Sequence, residues 1–76
     1  MEKELSCNVS VHEEEMDGKN VFVVDCVELG VNDFGDTLEE AIDNLKAGIN
    51  LLLEEAPEKR KLLVKPKPLM VTRVFL

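Results

Sequence analysis

Phe34-Gly-Asp-Thr-Leu-Glu-Glu-Ala-Ile-Asp-Asn-Leu-Lys-Ala-Gly-Ile-Asn-Leu-Leu-Leu-Glu-Glu-Ala56 is the one stretch of the chain able to form a long helix, and its reading decides the fold. Thr37 followed three positions later by Glu40 is the pattern of a capping box, in which a hydroxyl takes a free backbone N–H of the first turn and a carboxylate reaches back. Asp36, Glu39 and Glu40 place negative charge where the helix dipole is positive. Leu38, Ala41, Ile42, Leu45, Gly48, Ile49, Leu52 and Leu53 then recur at three- and four-residue steps and make one apolar stripe. Glu39, Asp43, Lys46, Asn50 and Glu54 fall opposite, with Leu51 stranded beside Ala47 on that polar side. Such a stripe needs a sheet to cover it.

The sheet has to come from the residues before the helix. Leu5, Cys7, Val9 and Val11 alternate with Ser6, Asn8, Ser10 and His12, the pattern of a strand with one face in water, and Glu13 to Glu15 carry it into solvent. Asp17-Gly18 predicts a tight hairpin turn, because both residues tolerate the positive φ that such turns require. The second arm, Val21 to Leu29, is apolar on both faces for most of its length. A two-residue turn pairs Val9 with Cys26 and Val11 with Val24, which turns Phe22, Val24 and Cys26 to the helix and leaves Val21, Val23 and Val27 outward. A turn longer by one residue reverses both faces. Either way, branched apolar side chains are left for something other than this helix to cover, and a second subunit over Val21, Val23 and Val27 is the expected cover. Gly30 allows a reversal, and Val31 to Gly35 is long enough for one more short strand before the helix.

After the helix, Pro57 stops the periodicity and Lys59-Arg60-Lys61 sits close to its negative end. Lys65-Pro66-Lys67-Pro68 reads as an extended connector, since each proline fixes φ and restricts the residue before it. Leu69 to Leu76 is rich in branched and aromatic residues and reads as a last strand. The expected architecture is α+β, a single β-β-β-α-β domain over residues 1–76, with one amphipathic helix on a mostly antiparallel sheet.

A chain of 76 residues buries only about 60% of the surface it exposes when unfolded, so a partner subunit would add needed stability. With no Trp and no Tyr, the core has to be aliphatic. The absence of a long apolar run or a charged-then-apolar leader points to a cytoplasmic protein with no membrane contact. Cys7 and Cys26, with no Cys-x-x-Cys spacing, read as two small reduced core side chains, a structural disulfide being the alternative. All 16 acids lie in residues 1–58 against three lysines, a net of −13, whereas residues 59–76 carry six basic groups and no acid. A body of that sign repels phosphate backbones and steers a basic partner towards itself.

Catalytic chemistry finds little to work with. His12 is the only histidine and falls on the polar side of its strand. There is no nucleophile elbow, phosphate-cradling glycine loop or zinc-protease helix. Asp25, Asp33, Asp36 and Asp43 could offer oxygen ligands, but a hard cation needs several carboxylates to converge. No catalytic, cofactor-binding or metal-binding residue is therefore assigned.

Gly30 and the run Gly35-Asp36-Thr37-Leu38-Glu39-Glu40-Ala41, placed after an apolar strand and opening an amphipathic helix, resemble the HicB-like antitoxin family. Leu29 and Val31 stand where that family usually has Pro and Cys. The resemblance covers about 30 residues. It implies a β-β-β-α-β domain, a truncated relative of the ribonuclease H fold without its catalytic acids, and dimerisation. It further implies a non-catalytic protein that binds and neutralises a small basic mRNA-cleaving toxin of the HicA type. Many members carry an additional C-terminal DNA-binding module. Residues 1–76 are expected to hold none, so direct DNA binding is not expected. The alternatives are a degenerate ribonuclease H-like nuclease using Asp25 and Asp33 with a divalent cation, or an orphan dimeric accessory protein.

Overall fold

In the computed structural model, which describes residues 5–64 and 73–75, three strands precede one long helix. β1 (Val9–Met16), β2 (Lys19–Cys26) and β3 (Val31–Gly35) form an antiparallel sheet in the order β1-β2-β3. α1 (Leu38–Glu55) follows, then a 3-10 turn (Pro57–Arg60) and the short α2 (Lys61–Val64). The α+β class expected from the pattern is the one formed.

Asp17 and Gly18 make the hairpin turn with φ of 51° and 79°, both in the left-handed region that a two-residue turn demands. That turn length sets the register. Val9 lies opposite Cys26, Val11 opposite Val24 and Glu13 opposite Phe22. On the other side of β2, Phe22 faces Gly35, Val24 faces Asp33 and Cys26 faces Val31. Of the two registers left open by the residues, the helix-facing set is Phe22, Val24 and Cys26. Gly30, at φ 68°, closes the second reversal by donating its N–H to the Cys26 carbonyl at 2.9 Å.

The helix begins as its cap dictates. Thr37 is extended, and its Oγ1 accepts from the Glu40 N–H at 3.1 Å. Gly35 brings β3 into that start, where a Cβ would lie 2.6 Å from the Ala41 backbone nitrogen. Only glycine permits so close an approach. At the far end the Ala56 N–H bonds the Leu52 carbonyl at 2.8 Å, and Pro57 turns the chain into the 3-10 segment. Asn44 adds a lateral tie, its Nδ2 donating to the Phe34 carbonyl at 2.9 Å.

Val24, Cys26, Ala41 and Leu45 form the buried cluster, with Cys7, Val9, Phe22, Leu29, Val31, Ile42 and Ile49 packed against it. A fully buried Val or Leu contributes about 1.5–3 kcal/mol, and two members of this cluster are smaller than that. Single caps and turns of about 1 kcal/mol are therefore a sizeable share of the stability.

α2 carries the buried Leu63. Two expectations need adjustment. The first strand begins at Val9, not Leu5, because the segment before it is diverted: Ser6 N–H bonds the Leu63 carbonyl at 3.2 Å. Val21 faces away from the helix as the register requires, yet only 3% of it is exposed within the single chain. It has no surface left for a partner, Val23 is half-buried, and Val27 at 49% is open. The expected last strand, residues 69–76, lies mostly outside the described residues; Arg73 to Phe75 are exposed and in no strand or helix.

Candidate protein-docking surface

α1 lies across β3 and β2 and does not reach β1. The cause is in the sequence: on the helix-facing side of β1 the apolar positions end at Val11, and Glu13 and Glu15 follow with nothing for a helix stripe to cover. Every residue from Ser10 to Glu15 is exposed, including Val11. Among the described residues β1 is also an edge strand, since its only neighbour is β2. An edge of this kind presents unpaired backbone N–H and C=O groups that another strand can use, and charged side chains are the usual guard against self-association.

The alternation of β1 divides its charge between both faces. Glu13 and Glu15 point to the helix side beyond the helix, while Glu14 shares the outer side with Ser10 and His12. His12 Nε2 is 2.9 Å from Glu14 Oε1, and its Nδ1 is 3.9 Å from Asp25 Oδ2. Ser10 Oγ donates to the same Asp25 oxygen at 3.4 Å. These groups are near half exposed, so each contact alone is worth little in stability.

At the hairpin tip, Lys19 Nζ reaches Asp36 Oδ1 at 2.8 Å, and this hydrogen bond and the Asp36 charge raise the Lys19 pKa. The bridge puts Asp17 and the tip of β1 at the same end of the molecule as Asp36 and the first turn of α1, with Glu39 and Glu40. The basic cluster Lys59 to Lys61 follows the other end of an 18-residue helix, about 27 Å away. Glu13 to Glu15, Asp17, Asp36, Glu39 and Glu40 are thus grouped along β1 and at the end of the molecule with the α1 N-terminus, while Glu54, Glu55 and Glu58 lie near the basic cluster.

The carboxylates named for the nuclease alternative are not brought together. Asp25 pairs with Asn32 on the outer side, whereas Asp33 pairs with Val24 on the helix side, where its Oδ1 accepts from the Phe34 N–H at 2.8 Å. No group of three or more His, Cys, Asp or Glu side chains is placed to hold a metal ion among the described residues. Nor is any helix there long and apolar enough to cross a membrane. A shallow cleft of about 240 Å³ lies between the N-terminal segment and the helices, lined by Leu5, Lys46, Ile49, Leu53 and Leu63.

Sequence reasoning missed two positioning residues. Glu28, expected only as the end of an apolar arm, holds Asn8, and Asn44 ties α1 to β3. Both are long-range contacts of single polar side chains, for which no local pattern exists. No family model matches the chain, and no curated protein or solved structure matches it significantly.

Proposed function

We propose that the chain is a non-catalytic protein-binding module that docks a basic protein partner on the acidic strand β1, as the resemblance to HicB-like antitoxins implies for a small basic mRNA-cleaving toxin. The observation that carries this reading is the exposed run Glu13-Glu14-Glu15 on a strand that, among the described residues, is at the sheet edge and beyond the reach of α1. A negative strip on a strand that is at the sheet edge among the described residues suits a basic surface: the charges speed and orient the encounter, and such an edge offers hydrogen bonds once contact is made. Occlusion of the RNA-binding side of such a toxin would then follow from charge, since both ligands compete for the same cations. A homodimer belongs to the same reading, with Val23 and the open Val27 as its contact residues.

The test is co-purification and titration against a small basic protein encoded by the neighbouring reading frame. Binding that weakens steeply with added salt and drops by at least tenfold in the triple variant Glu13→Gln, Glu14→Gln, Glu15→Gln supports the reading. Binding that is indifferent to those three substitutions defeats it.

A further inference from the structure

The two cysteines, far apart in sequence, meet in the fold. Cys26 ends β2 on the helix side, opposite Val9, and the ladder continues one step further through Val27 N–H to the Asn8 carbonyl at 2.9 Å. That step brings Cys7 to the same face, one position diagonal to Cys26. Both are free thiols, Cys26 in the buried cluster and Cys7 packed against it. The Asn8 backbone just before β1 is clamped by Glu28 just after β2, so the segment carrying Cys7 is held in place rather than passing by chance.

We propose that Cys7 and Cys26 are an oxidative modification site, a thiol pair that small-molecule disulfides such as oxidised glutathione convert to an intramolecular disulfide. Cys26 is 1% exposed and cannot be met by an oxidant, whereas Cys7 is half-buried, which makes Cys7 the first point of attack. The Cys7 thiolate attacks one sulfur of oxidised glutathione, breaking its S–S bond and releasing one glutathione thiolate. The Cys26 thiolate then attacks the Cys7 sulfur of the mixed disulfide and expels the second. Two protein S–H bonds are lost and one S–S bond forms. The two electrons reduce the glutathione disulfide, and the two protons end on the two glutathione thiols.

Chemistry of the site sets both rate and outcome. Burial, followed by the hydrogen bond and charge of Cys26, pushes the Cys7 thiol up to about 11, so little thiolate is present at neutral pH and oxidation is slow. Burial disfavours the Cys7 thiolate, so the site lacks at Cys7 the stabilised thiolate that makes strongly oxidising dithiol sites easy to reduce. The bond would close the β1–β2 hairpin at the end opposite its Asp17-Gly18 turn. Closing that loop removes freedom from the unfolded chain and raises the melting temperature by about 10 °C. This inference is independent of any docking partner.

The experiment incubates the folded chain with oxidised glutathione at mildly alkaline pH and reads intact mass and peptide maps without reduction. The expected product has lost two hydrogens, joins the peptides containing Cys7 and Cys26, and melts at higher temperature than the reduced chain. Cys26→Ala, with its fold checked by circular dichroism, stops at a glutathione adduct on Cys7, and Cys7→Ser leaves Cys26 unmodified while folded. A stable glutathione adduct on wild-type Cys7 beside a free Cys26 overturns the proposal. So do disulfide-linked dimers, or two unreacted thiols under conditions that oxidise the unfolded chain.

Discussion

Glu28 grips Asn8 on two atoms: its carboxylate accepts the Asn8 backbone N–H at 2.8 and 3.1 Å and the Asn8 Nδ2 at 3.0 Å. The contact replaces a regular ladder bond just below the start of β1 and lets the chain turn away towards α2. A charged acceptor on a partly buried backbone N–H is worth about 1.5–3 kcal/mol. Glu28→Ala is expected to destabilise by about 2 kcal/mol and to speed amide exchange at Asn8 and Val27. Equilibrium denaturation and hydrogen exchange check both.

Thr37 supplies the side-chain cap of α1, and Thr37→Ala is expected to cost about 1 kcal/mol, whereas Thr37→Ser, which keeps the capping hydroxyl, leaves stability unchanged. In a domain of this size that loss lowers the melting temperature by about 4–8 °C. Scanning calorimetry on the two variants separates cap chemistry from helix propensity.

Gly35 and Gly48 respond to alanine with opposite signs. At Gly35 the new methyl group would meet the Ala41 backbone nitrogen at 2.6 Å, and backbone cannot move aside cheaply, so Gly35→Ala is expected to destabilise by about 3 kcal/mol. At Gly48 nothing lies within 4 Å and the position is mid-helix, so Gly48→Ala is expected to stabilise by about 0.5–1 kcal/mol. Urea denaturation of the pair decides it.

Val21 and Val27 separate folding from association. Val21→Glu buries an unpaired carboxylate and is expected to unfold the protomer. Val27 is 49% exposed, so Val27→Glu should keep the melting temperature within a few degrees while shifting a dimer to monomer on size-exclusion chromatography. An unchanged oligomeric state in folded Val27→Glu removes Val27 from the proposed contact.

Alkaline pH is expected to weaken the fold through Cys7. The folded thiol keeps its proton up to about 11, above the ordinary thiol range, so within that window unfolding releases a proton and stability falls as pH rises. Its contribution is fully present below the ordinary thiol value and lost by about 11. Denaturation series from neutral to alkaline pH should show a shallower decline in Cys7→Ala than in the parent chain.

Local pattern was enough for whatever depends on neighbours in the chain. The cap at Thr37, the α1 stripe, the Asp17-Gly18 turn and the short strand before the helix all rest on contacts within a few residues, and those contacts are written consecutively. The acidic excess before residue 59 is likewise plain from the residues. The choice between the two registers came only with the structure, because one extra residue in the turn would have reversed every side chain of β2. Tertiary structure also decided that Val21 is covered while Val27 is not, that Asp25 and Asp33 stand on opposite sides of the sheet, and that Cys7 reaches Cys26. Each of these depends on which distant backbone lies alongside, a matter of packing for which a linear sequence holds no local signal.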